Sequence, residues 1–287
     1  MLPIFLQLIV SGFLLGGVYA LISIGLTLIF GVLDVVNFAH GEFLMLGMYL
    51  TFWLFTIFHM DPYVSLFIVA PMLFIIGLFV GRTVIKPIIG SPPSVQIFVT
   101  VGISLILMNG ALVLWKADFR SVPTSYGSGS LNLGSVFIGY PQLISFLGAL
   151  IFSALLFPLL KYTYLGKAIR ATAQDRKAAM LMGIDIQKVY ILTFGIGIGL
   201  VGIASALLAP IYSIFPSVGA HFVLVAYVAV VLGGLGSIPG AILGSLIIGM
   251  TETFSGFFIS PGWRQAIYYA VFVLVLIFKP QGLIAQK

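Results

Sequence analysis

The segment PQLISFLGALIFSALLFPLLKYTYLGKAIRATAQDRKAAMLMGIDIQKVYILTFGIGIGLVGIASALL (Pro141–Leu208) decides how this chain folds. Its two ends are apolar enough to lie in lipid, whereas its middle is not. The stretch from Tyr164 to Lys188 carries seven charges, and Lys161 makes eight of only twenty in the chain. Two membrane crossings joined by a charged loop explain this pattern, and the rest of the chain repeats it.

Of the 287 residues, 61% are hydrophobic and 7% charged, against roughly 25% charged in a soluble domain. Runs of 18 or more apolar residues recur from end to end, each long enough to cross a bilayer as a helix. The runs are continuous rather than alternating, which favours helices over a barrel. The fold class is therefore all-α, a polytopic transmembrane helical bundle forming one domain over 1–287. Candidate crossings are 4–31, 37–58, 62–81, 94–115, 141–160, 189–212, 221–235, 240–257 and 265–279, for a total between eight and ten. The first lacks a basic leader and a small-residue cleavage site and reads as a retained span.

Absent residue types remove several function classes. Without cysteine there is no disulfide, thiol catalysis or Cys-ligated metal. No stretch fits G-x-x-x-x-G-K-[ST], so the chain does not cradle ATP phosphates itself. The net charge of +6 has no soluble domain to present it to nucleic acid; it serves topology. Placing Arg82 and Lys86, the 161–188 loop, and Lys279 with Lys287 in the cytoplasm satisfies the bias of Lys and Arg toward that side. The N-terminus and the Ser-, Gly- and Pro-rich loop at about 116–140 then lie outside.

Small-residue pairs at GxxxG spacing (Gly12 and Gly16, Gly195 and Gly199, Gly236, Gly240 and Gly244) predict close helix packing within one bundle. Two spans are interrupted. In FGVLDVVNFAHGEF (Phe30–Phe43), Asp34, Asn37, His40 and Glu42 stand between long apolar runs. Either this is a cytoplasmic turn with solvated carboxylates, or a broken helix entering a protein-lined pathway, with Asn37 and His40 lining it. His40 has no second histidine at ligand spacing, since His59 and His221 fall in predicted external turns, so no metal site is expected. In VLGGLGSIPGAILG (Val231–Gly244), glycines and Pro239 make a continuous helix unfavourable. A plain loop competes there with a transport-site break. Glu252 is the most isolated acid: a buried functional group, a partner of Arg264, or a surface group near the outside.

Within the charged loop, helical spacing places Arg170, Gln174 and Lys177 on one face, and Gly183 supplies a stop. A purely topological loop needs only two or three cations. Lipid binding suits the cations but not Asp175, Asp185 and a weak apolar face. Docking into a partner's groove suits small alanine contacts beside charges, and is the preferred reading.

These residues carry a resemblance. The loop resembles the cytoplasmic coupling loop of ABC importer permeases, with Ala178, Ala179 and Gly183 at the alanine and glycine positions. GGVYALISIGLTLIFGVLDVVNFAHGEFLMLGMYL is similar to the N-terminal signature of LivH-type permease subunits of branched-chain amino acid ABC importers. AIRATAQDRKAAMLMGIDIQKVYILTF and VVLGGLGSIPGAILGSLIIGMTE resemble its other two signatures. Asp34 departs from the pattern, standing where a small residue is expected. The resemblance implies a permease of a bacterial-type cytoplasmic (inner) membrane, with no cofactor and no catalysis of its own. Its partners would be a second, LivM-type permease subunit, two cytoplasmic ABC ATPase subunits that use the ATP, an external solute-binding protein and the lipid bilayer. The substrate class implied is branched-chain or similar hydrophobic amino acids. The implied pathway residues are Asn37, Phe38, Ala39, His40, Gly41 and Glu42, with Gly233, Gly234, Gly236, Ser237 and Pro239 opposite. The implied ATPase-coupling residues are Arg170, Asp175, Ala178, Ala179 and Gly183. From another class, a self-sufficient proton-coupled carrier using His40 or Glu42 is the main alternative.

Overall fold

A computed structural model describes residues 2–134, 136–279 and 281–284. Helix α1 (Leu2–Leu33) has 32 residues, about 48 Å at 1.5 Å per residue, and stands at the centre of the bundle. Around it lie α2 (His40–Phe58) and α3 (Pro62–Val80), which runs through a π-turn (Gly81–Ile85) into the short α4 (Lys86–Ile88). Then come α5 (Pro93–Trp115) and α6 (Tyr140–Tyr162), followed by the paired α7 (Tyr164–Gln174) and α8 (Arg176–Leu181). The chain closes with α9 (Ile186–Leu208), α10 (Val218–Gly233), α11 (Ile238–Phe258) and α12 (Arg264–Phe278).

Among the described residues, eight helical stretches are long and apolar enough to cross a membrane. The ninth apolar helix, α10, has 16 residues, about 24 Å against a hydrocarbon core of about 30 Å. The chain is a multi-pass helical membrane protein. Each predicted crossing has its helix, with ends moved by a few residues. Alternating the crossings puts Arg82, Lys86 and the α7–α8 segment on one side, as the distribution of cations requires. Lys287 lies outside the described residues.

Glycine sets the spacing between the central helices. A Cβ on Gly16 would stand 2.7 Å from the Leu246 Cα of α11, and one on Gly12 would stand 2.9 Å from the Met250 Cα. Gly195 and Gly199 receive Leu78 and Phe74 of α3, while Gly240 and Gly244 face carbonyls of α10. In lipid, where apolar burial gives little drive, such backbone proximity supplies the packing. α1 and α9 are consequently buried over most of their length, while α5 and α12 leave large apolar side chains on the outside.

The outer loop is more ordered than its Ser- and Gly-rich composition suggests. It forms an antiparallel hairpin, β1 (Ser130–Leu133) with β2 (Val136–Gly139). Gln7 clamps the hairpin to α1, donating to the Phe137 carbonyl (2.9 Å) and accepting from its N–H (2.8 Å). Asp61 caps α3 through the Tyr63 N–H and also accepts from the Tyr126 hydroxyl at 2.7 Å.

Candidate functional site: a re-entrant segment and a charged helical hairpin

The first interrupted stretch turns back into the protein. α1 ends at Asp34, whose N–H donates to the Phe30 carbonyl (2.9 Å). Residues 34–37 are then not helical, and α2 begins only at His40. The His40 Nε2 lies 3.1 Å from the carbonyl of Ile22, eleven residues or about 16 Å back along α1. The chain has thus re-entered beside α1, and α2 starts well inside the bundle. Irregular backbone at this depth is viable only when protein or water satisfies it. Thr100 of α5 donates to the Val36 carbonyl at 2.9 Å.

This segment is buried and under-satisfied. Asn37, Ala39 and His40 are fully buried and Glu42 nearly so. Both amide atoms of Asn37, the His40 Nδ1 and one Glu42 oxygen have no hydrogen-bond partner, and neither has the Tyr227 hydroxyl of α10. The Phe38 ring lies 5.2 Å from that of Tyr227. Gly41 is pressed onto the Gly219 carbonyl, where a Cβ would come within 2.1 Å. Buried polar atoms without partners are rare and call for water or a solute. The solvated-turn reading therefore fails for Asn37, His40 and Glu42, and holds only for Asp34, which stays exposed.

The second interrupted stretch is built differently. Gly234 (φ 112°) and Gly236 (φ 82°) carry the chain from α10 to α11 in conformations that favour glycine. Gly233 lies against Gly240, and Gly236 lies against Gly31 of α1. Ser237 caps α11 by accepting the Gly240 N–H, and Pro239 stands in its first turn. The N–H groups of Leu283 and Ile284 satisfy the carbonyls of Leu232 and Gly233 (both 2.9 Å).

The two interruptions do not share one chamber. Ile22 and Gly31 are nine residues apart on α1, on opposite sides of the helix, so α1 separates His40 from Gly236. A cleft of about 850 Å³ opens beside the second break, lined among others by Thr27, Gly31, Lys161, Arg170, Gly236 and Pro239. It joins the second break to α7. None of Asn37 to Glu42 lines it.

The charged loop folds as two helices, not one. Asp175 has extended backbone (φ −152°) and caps α8, accepting from the Lys177 and Ala178 N–H groups at 2.8 and 3.0 Å. A side chain that competes this well for backbone donors ends α7 instead of continuing it. The expected common face of Arg170, Gln174 and Lys177 is therefore broken. Arg170, though exposed, folds back and donates to the Leu160 and Lys161 carbonyls at the end of α6. Gly183 (φ 80°) ends the α8 turn. Ala179 is buried and Ala178 exposed, while Leu181 and Met182 are 88% and 81% exposed. Asp185 caps α9, and Lys188 beside it holds its carboxyl below the usual carboxylate range. What this hairpin presents is an apolar knob ringed by charge.

Two features escaped the sequence reading, and a third, Glu252, was left open there among three alternatives. Thr27 and Tyr227 are single polar groups in apolar runs, a readable signal. Arg176 counted only as a topological charge, yet it pairs with Asp34 at 2.6 Å. Glu252 is buried and accepts from the Tyr19 hydroxyl at 2.9 Å. Arg264 rests on Gly256 and makes no ion pair with Glu252.

The chain has known relatives. The family described as branched-chain amino acid transport system / permease component matches residues 8–276. The high-affinity branched-chain amino acid transport system permease protein BraD of Pseudomonas aeruginosa is 31% identical, covering 98% of this chain and 96% of that protein. LivH of Escherichia coli K12, of the same description, is 30% identical at the same coverage. The ribose import permease protein RbsC of Haemophilus influenzae is 26% identical over 77% of this chain and 71% of its own length. No solved structure gives a significant match.

Proposed function

This chain belongs to the family of branched-chain amino acid transport permeases, and we propose that it is the membrane half of an ATP-driven importer for branched-chain or similar hydrophobic amino acids. The observation that carries this reading is the re-entrant segment, whose orphaned Asn37 and His40 atoms, with the Tyr227 hydroxyl of α10, offer hydrogen bonds inside an otherwise apolar bundle. An amino acid zwitterion crossing lipid needs such partners only briefly. A low-affinity polar route suits a permease whose specificity resides in an external solute-binding protein. Asn37, Phe38, Ala39, His40, Gly41 and Glu42 form the first wall of this route. Gly233, Gly234, Gly236, Ser237 and Pro239 lie beyond α1 as a packed turn, where Gly236 and Pro239 border the cleft toward α7, and they are not part of this wall.

The motor is on other chains. α8 offers Leu181 and Met182 to a groove, the way an amphipathic helix engages a partner. Two cytoplasmic ATPases would each take one such helix, one from this chain and one from a second, LivM-type permease. ATP-driven closure would displace α7 and α8, and the cleft lined by Arg170 and Gly236 would change shape. The proposed location is a bacterial-type inner membrane.

Uptake of labelled leucine into proteoliposomes holding the co-purified complex and its solute-binding protein tests this. Uptake that needs enclosed ATP at the ATPase face, and ignores an imposed proton gradient, is the expected result. Uptake driven by the gradient without ATP would replace this reading with a proton-coupled carrier.

A further inference from the structure

We propose that Asp34 and Arg176 form an ionic latch that fastens α8 to the re-entrant segment, so that displacement of α8 is passed to the start of α2. The inference rests on the ATP-driven reading above and names the residues that connect its two parts.

Asp34 is a non-glycine residue at φ 54°, a left-handed conformation that glycine adopts without strain. Something must favour a carboxylate there. Its Oδ2 lies 2.6 Å from the Arg176 Nη2, across 142 residues of sequence. Arg176 is the first residue of α8. It also reaches the Val32 carbonyl at 3.4 Å, and its guanidinium lies over the Tyr190 ring at 5.7 Å. One side chain thus touches the end of α1, the start of α9 and α8. α8 has few other attachments: among its six residues Ala179 is the buried one, and Met180 and Leu181 face outward. The other ion pair among the described residues, Lys188 with Asp185, lies within a single helical turn and joins nothing distant.

The chemistry sets the strength. The two side chains are 37% and 70% exposed, and an exposed pair shifts an equilibrium only a few-fold. That is too weak for a permanent strut. It suits a link that opens and closes at each turnover. Directly beyond Asp34 the chain has no helical hydrogen bonds until His40, so a pull at Asp34 acts on the backbone that carries Asn37.

A plain capping role for Asp34 makes a different prediction. Asp34→Gly accepts the positive φ without strain and removes only the carboxylate, so a cap alone would leave transport intact or improve folding. The test is leucine uptake per ATP hydrolysed, measured on the reconstituted complex for the parent, Asp34→Gly, Arg176→Ala and the double variant. The latch predicts that each single change lowers this ratio about three- to fivefold, with assembly intact and the double no worse than the lower single. Raising salt should bring the parent toward the variants and leave them unmoved, because exposed pairs are screened. Parental ratios in the single variants, or multiplicative losses in the double, would overturn it. A second readout needs no transport. The chain has no cysteine, so spin labels at Met182→Cys and Phe58→Cys report how firmly α8 is held. Broadened distances in Asp34→Gly and Arg176→Ala support the latch, and unchanged distances overturn it. A parent complex without ATP-driven uptake would remove the transport reading, while the label distances would still decide the latch.

Discussion

The two interruptions look alike as sequence, yet they solve opposite problems. At Gly233, Gly234 and Gly236 the nearest neighbours are backbone, and the freed carbonyls of Leu232 and Gly233 are met by Leu283 and Ile284. Between Asp34 and Glu42 the backbone is steered by side chains, and four buried polar atoms are left without partners. The glycine break is a packed turn whose cost is already met. The re-entrant segment holds unused hydrogen-bonding capacity, and unused capacity is what a passing polar solute requires.

The sharpest way to break this contrast is Gly233→Ala. A Cβ there would come within 2.0 Å of the Gly240 carbonyl oxygen, and backbone on both sides cannot yield. The cost should exceed about 4 kcal/mol, seen as loss of monodisperse protein in size-exclusion chromatography. Recovery of well-folded protein would show that the second break is looser than it looks.

Asn37→Ala should do the reverse. Removing two orphaned amide atoms returns about 1–3 kcal/mol, roughly what the small cavity costs. The unfolding temperature should stay within a few degrees of the parent, while leucine uptake falls about tenfold or more. Equal loss of folding and uptake would make Asn37 a structural residue. The smallest effect is expected from Ser237→Ala, which removes one cap on α11 at about 1 kcal/mol. Thermal unfolding should fall by a few degrees and uptake should persist.

Much of this was readable from residues alone, for identifiable reasons. Apolar runs mark spans because lipid admits nothing else, and the cations around Arg82 and Lys161–Lys188 orient them. Gly12, Gly16 and Gly244 announced close packing, and they deliver it. What the sequence withheld is non-local. That His40 lands beside Ile22 depends on where α1 stands, so the depth of the re-entrant segment could not be read from NFAHGE. The separation of the two breaks by α1 is invisible for the same reason. The split at Asp175 was hidden because helical spacing continues through it, whereas a side-chain cap ends α7. Asp34 was noticed as a departure and Arg176 as a charge, but their meeting is a property of the fold. The outer hairpin was missed because its Ser- and Gly-rich sequence reads as an exposed loop.

The role proposed for α8 is to dock a motor carried by another chain. Its most direct test is to recover the tagged chain from its native membrane in mild detergent, beside a variant carrying Asp175→Lys and Gly183→Arg. Both positions are exposed, and the changes remove the cap of α8 and load its left-handed closing glycine, reshaping the hairpin while leaving the buried bundle alone. The expected result is a P-loop ATPase bound to the parent and lost from the variant, with the transmembrane bundle equally folded in both. No ATPase on the parent, or equal amounts on both, would contradict it.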